Sequence, residues 1–128
     1  MTDAVGMRLL LDGFVTRRLS EDDLRLVLPR ITKGIGMTPI GYPVIFPHEW
    51  GPSGYQFLAE SHIGVDYMYW DQVALEAFSC KVFDIPEAIA LLVKEFHISS
   101  ITKQAVITHR FDDHAPARHG FELVTGGA

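Results

Sequence analysis

Two segments of this chain open with a helix-capping signature and continue at helical spacing, while the remaining apolar residues come in runs of strand length. Ser20 stands as a cap with Asp23 three residues on, and Glu21 and Asp22 suit the positive end of the helix dipole. Leu24, Val27, Leu28 and Ile31 then share one face. Pro29 lies inside this pattern and predicts a kink or an early stop, and Gly34 and Gly36 end the helix. Asp84 caps a second helix, with Pro86 in its first turn and Glu87 three residues after the cap. Ile85, Ile89, Leu92, Val93 and Phe96 form its buried stripe.

The strand-like runs are Met7–Val15, Ile40–Phe46, Tyr55–Glu60, His62–Tyr67, Val73–Cys80 and Ile101–Phe111. Pro43 marks the second as an edge or a bulge, and Pro47–Gly54 reads as a loop. The order is β-α-β-β-β-β-α-β, in two loosely similar halves. Helices covering one face of a largely antiparallel sheet make an α+β two-layer sandwich. One domain is expected over residues 1–111, with a polar, glycine-ending tail over 112–128.

Composition excludes several classes. The chain has 128 residues, 48 % of them hydrophobic, which suits a folded single core. Net charge is −5 and Arg17-Arg18 is the only adjacent basic pair, so no nucleic acid is expected as partner. No apolar run approaches the ~20 residues that span a bilayer, so no membrane is expected either. Acidic Asp3 and the lack of a basic start argue against a signal peptide. The single cysteine makes no internal disulfide, and a reducing cytoplasm is its natural compartment.

One apolar run carries three adjacent residues capable of chemistry: Glu60, Ser61 and His62, followed by Ile63. Ser53-Gly54 precede them, and Cys80 ends an apolar strand nineteen residues after Ser61. These features, with the strand from Met7 to Asp12 and the two helices in order, resemble the short prokaryotic S-adenosylmethionine decarboxylases over roughly residues 6–109.

The resemblance implies a self-processing enzyme that feeds aminopropyl groups into spermidine synthesis, and a homodimer. It implies cleavage between Glu60 and Ser61, which turns Ser61 into a pyruvoyl cofactor. That ketone takes up a substrate amine as a Schiff base and accepts the electrons released as carbon dioxide leaves. The resemblance gives Ser53, with nearby backbone N–H groups, the task of polarising the strained Glu60 carbonyl. It makes Cys80 the acid that returns a proton to the substrate. There are departures. Asp66 stands where the family has a histidine that assists processing, and is either a replacement base or a solvated carboxylate. Trp70 stands where the family has a glutamate that holds the ribose. The interval from Ser61 to Cys80 is one residue short, and Lys81 replaces a glycine.

The other candidates have two readings each. Phe46, Trp50 and Tyr67 can stack on an adenine or attract a sulfonium, or can simply pack. His62 is expected to be structural, because it follows the nucleophile and points to the opposite face. His109, Asp112, Asp113, His114 and His119 are metal-binding types, but their irregular spacing in a polar tail argues against a metal. Two other functions stay open: the same chemistry on arginine or ornithine, or an uncleaved, non-enzymatic homologue that binds a ligand or a partner.

Overall fold

A computed structural model of the chain describes residues 4–111. Its elements are β1 (Ala4–Val15), α1 (Glu21–Gly34), β2 (Pro39–Phe46), β3 (Ser53–Leu58), β4 (Ser61–Met68), β5 (Gln72–Ser79), α2 (Ile85–Glu95) and β6 (Ile98–Phe111). This is the expected order. The strands form one sheet, β2-β3-β4-β5-β1-β6, and all neighbours are antiparallel.

The period-2 pattern decides which face is covered. In β4, Ile63, Val65 and Tyr67 are buried, while Asp66 and Met68 are exposed. In β5, Val73, Leu75, Ala77 and Ser79 are buried. These side chains join Leu9 and Leu11 of β1 and the apolar stripes of both helices in one core. The chain is therefore an α+β two-layer sandwich, with both helices on one face and the other face open. Gly54 lets α1 come close, because a Cβ there would lie 3.0 Å from Leu28 Cδ1 and 3.2 Å from Leu24 Cδ1.

The caps form as expected. The Asp23 N–H donates to Ser20 Oγ, and the Ser20 N–H donates to the Asp23 carboxylate. The Glu87 N–H donates to Asp84 Oδ1. Pro29 does not shorten α1, which runs unbroken from Glu21 to Gly34. A mid-helix proline costs ~3 kcal/mol. Burying Leu24, Val27, Leu28 and Ile31 gains ~1.5–3 kcal/mol each, which outweighs it.

β2 is an edge strand whose register against β3 shifts between Ile40 and Val44, around Pro43. The fully buried Gln56 amide fills this bulge, donating to the Ile40 and Gly41 carbonyls at 3.1 and 3.3 Å. β6 starts at Ile98, three residues before the expected Ile101, because register shifts near Gly13 let Val15 pair with Ile98. Among the described residues no helix is long and apolar enough to cross a membrane. The expected tail, 112–128, lies outside the described residues.

Candidate active site

Ala59 and Glu60 form the turn between β3 and β4, so the Glu60–Ser61 peptide lies at a hairpin tip. Three hydrogen bonds fix that tip. The Ala59 N–H donates to the Thr38 carbonyl at 2.9 Å. The Thr38 N–H donates to Glu60 Oε1 at 3.1 Å. The Cys80 N–H donates to the Glu60 carbonyl at 3.0 Å. This last contact follows from sheet register, since Ser61 pairs with Ser79 and Cys80 comes next. The Cys80 side chain is exposed. Lys81, standing where a glycine was expected, closes the strand end: its N–H donates to the buried Ser79 Oγ at 2.9 Å and its Nζ to the Gly36 carbonyl at 3.3 Å.

The Ser61 hydroxyl meets a histidine, though not the expected way. Ser61 Oγ lies 3.1 Å from His62 Nδ1. His62 Nε2 lies 3.1 Å from Glu76 Oε1, and Arg8 donates to Glu76 Oε2. The imidazole stacks on Tyr55 with centroids 5.0 Å apart and touches the Phe78 ring at 5.7 Å. Burial opposes ionisation of Glu76, but hydrogen bonds from Arg8 and His62 and the positive charge of Arg8 outweigh it and hold the carboxyl below its usual range. An ionised Glu76 favours the tautomer with hydrogen on Nε2. Nδ1 is then free to accept the serine proton.

Ser53 and Asp66 sit together, with Ser53 Oγ donating to Asp66 Oδ1 at 2.5 Å. They are not beside the Glu60–Ser61 peptide. Asp66 is five residues along β4 from Ser61, which is about 16 Å at ~3.3 Å per residue. The β4–β5 pairing runs from Ser61 to Met68 without a register shift, so no bulge folds one toward the other. This corrects two expectations. Asp66 is not a base within reach of Ser61. Ser53 is not placed to polarise the Glu60 carbonyl, which instead accepts the Cys80 N–H. Nor is the tip backbone left-handed: among described non-glycine residues only Tyr69 and His97 have positive φ.

The open face carries a trough of about 360 Å³. Phe46, Ser53, Tyr55, Asp66, Glu76 and Lys103 are among its lining residues, and Gly64 and Ala74 also border it. Phe46 therefore borders the trough. Tyr67 does not. It faces the helices, is 4 % exposed, and its hydroxyl accepts the Leu19 N–H at 2.8 Å. Trp50 stacks near Tyr69 at 5.1 Å, outside the trough lining, and its carbonyl accepts Arg18 at 2.8 Å. The Arg18 guanidinium lies 4.9 Å from the ring of Trp70, the residue standing where the resemblance has a glutamate, and neither borders the trough. Among the described residues no group of three or more His, Cys, Asp or Glu could hold a metal ion. His109 packs edge-on against Phe78, and the other metal-binding types lie outside the described residues.

Sequence reasoning missed the Arg8–Glu76–His62 chain. The signal was present: Arg8 and Glu76 are charged residues inside apolar strands, both on the open-face parity.

No protein-family model and no curated protein matches the sequence. Among solved structures the fold is similar to the adenosylmethionine decarboxylase from Aquifex aeolicus VF5, with a TM-score of 0.65 and 16 % identity over 88 % of this chain and 98 % of that one. At that identity the likeness establishes the fold.

Proposed function

We propose that this chain is a self-processing, pyruvoyl-dependent decarboxylase acting on S-adenosylmethionine, as the enzyme that shares its fold acts by name. The observation that carries the reading is the hydrogen bond from the Cys80 N–H to the Glu60 carbonyl. Attack by Ser61 Oγ on that carbonyl builds negative charge on its oxygen. A fixed N–H aimed at such an oxygen is what acyl transfer needs. The residues fit a pyruvoyl at position 61, because the source serine has a proton acceptor at hand and Cys80 follows Ser79, the register partner of Ser61. Once formed, the pyruvoyl supplies the electron sink for loss of carbon dioxide. Cys80 returns a proton to the substrate carbon, and Phe46 and Tyr55 offer ring faces along the trough.

The partner in this reading is a second copy of the chain. The open face exposes Val44, Phe46, Phe57, Met68 and Ile107, and a contiguous apolar face of this kind suits an interaction surface. Ser61 and the Ser53–Asp66 pair lie at opposite ends of β4. A two-fold axis in the plane of the face, perpendicular to the strands, swaps those ends. It brings the partner's Ser53–Asp66 pair over the cleavage site, and the reverse.

Intact mass spectrometry tests the reading. Cutting 128 residues after Glu60 leaves pieces of 60 and 68 residues, the second blocked at its N-terminus. The cleaved protein should release carbon dioxide from S-adenosylmethionine. A single intact mass after prolonged incubation overturns the reading and favours the uncleaved homologue. Release from arginine or ornithine alone would favour the second substrate class, which is motivated by Trp70 standing where the resemblance has a ribose-holding glutamate.

A further inference from the structure

We infer that His62, held by Glu76 and Arg8, is the proton shuttle that converts the Glu60–Ser61 amide into an ester during self-cleavage. The inference rests on the self-processing reading. It does not follow from the resemblance, which places the processing histidine at position 66, where this chain has Asp66.

The geometry forms a continuous line. Ser61 Oγ is 3.1 Å from Nδ1, and Nε2 is 3.1 Å from Glu76 Oε1. Arg8 binds the other carboxylate oxygen, and the imidazole is fixed between Tyr55 and Phe78. A nucleophile, a base and a group that orients the base make up the general pattern of an activated serine. Asp66, about 16 Å away along the strand, has no part in this line.

The step balances within the chain. His62 Nδ1 takes the proton of the Ser61 hydroxyl as Oγ bonds to the carbonyl carbon of Glu60, closing a five-membered ring. The Cys80 N–H holds the resulting oxyanion. The bond from that carbon to the Ser61 nitrogen then breaks, and the nitrogen takes the proton from Nδ1. An amide has become an ester of the same mass, with no oxidant or other reactant. His62 is the catalytic residue. Glu76 and Arg8 are positioning residues that keep hydrogen on Nε2 and the lone pair on Nδ1.

Neutral hydroxylamine cuts esters and leaves amides, so it reports this step apart from later ones. The test follows cleavage at Glu60–Ser61 by intact mass, with and without hydroxylamine, for the full chain and its variants. In His62→Ala both rates should fall at least ~100-fold, the lower range for general acid–base catalysis. Added imidazole, entering the space between Tyr55 and Phe78, should restore part of the loss. Glu76→Gln, which preserves shape, should slow both rates at least ~10-fold through the wrong tautomer. His62→Ala that cleaves as fast as wild type overturns the inference. So does a slow His62→Ala that hydroxylamine cuts at the wild-type rate, because the ester then forms without the imidazole. A slow His62→Ala that imidazole does not help, beside a normal Glu76→Gln, also overturns it and makes His62 packing only. A wild type that stays whole in both arms overturns the self-processing reading itself, whereas the preceding outcomes leave that reading standing.

Discussion

Replacing Tyr67 by phenylalanine removes one oxygen atom and separates a core residue from a substrate contact. The ring is 4 % exposed and packs against Gly51, where a Cβ would lie 2.8 Å from Tyr67 Cδ2. The substitution keeps that packing. It leaves the Leu19 N–H, now bonded to the hydroxyl at 2.8 Å inside the protein, without its acceptor. Stranding a buried donor costs ~1–3 kcal/mol. With a urea slope of ~1–3 kcal/mol per molar for a small domain, the unfolding midpoint should fall by roughly 1 M. pH gives a second, independent check. Burial raises the Tyr67 pKa above the usual 10.0, and the Leu19 hydrogen bond and nearby Arg18 only partly oppose it. A raised folded pKa means that the group's contribution is complete below the unfolded value and is lost as pH rises through the folded one. The gap between wild type and Tyr67→Phe should thus be widest at neutral pH and narrow above pH 10. Urea unfolding followed by circular dichroism at both pH values measures it. An unchanged midpoint at neutral pH, or a gap that grows in alkali, would refute the assignment of Tyr67 to the core.

Two further outcomes concern the site. Cys80→Ala should still self-cleave, because the N–H on the Glu60 carbonyl belongs to the backbone, but should lose ~10²–10⁴-fold in decarboxylation; unchanged carbon dioxide release would reduce the thiol to a surface group. Co-expressed Ser61→Ala and Asp66→Asn should be active where each alone is not. With random pairing half the dimers are mixed and each holds one complete site of two, so about a quarter of wild-type turnover is expected, and a mixture no better than its parents would reject the shared site.

The fold was legible because its signals are local. Ser20 with Asp23, and Asp84 with Glu87, announce helix starts through bonds that span three residues. The strands show in their alternation, and Pro43 marks the bulged edge. Two errors came from competition between local and tertiary terms. Pro29 has a real local cost, but the apolar face of α1 pays no attention to it once buried on the sheet. β6 starts early because Ile98 finds a partner in Val15 across a shifted register, which no local rule reveals.

The site was legible at the hairpin and not across it. Glu60, Ser61 and Cys80 come together because two strands pair in the expected order, so spacing alone brought them close. Distance along a strand is a different matter. Five residues of unbroken β4 put Asp66 on the opposite face from Ser61 and about 16 Å off, whereas one residue lets His62 bend its ring back to the hydroxyl. Alternation argued that His62 points away, and its Cβ does. An imidazole is long enough to return, and Glu76 and Arg8, from two neighbouring strands, are what hold it there. On the self-processing reading, the absence of a histidine at position 66 therefore still leaves a base beside the serine. It moves the question to the residue beside the serine, while the Ser53–Asp66 pair at the far end of the strand can meet the cleavage site only through a second copy of the chain.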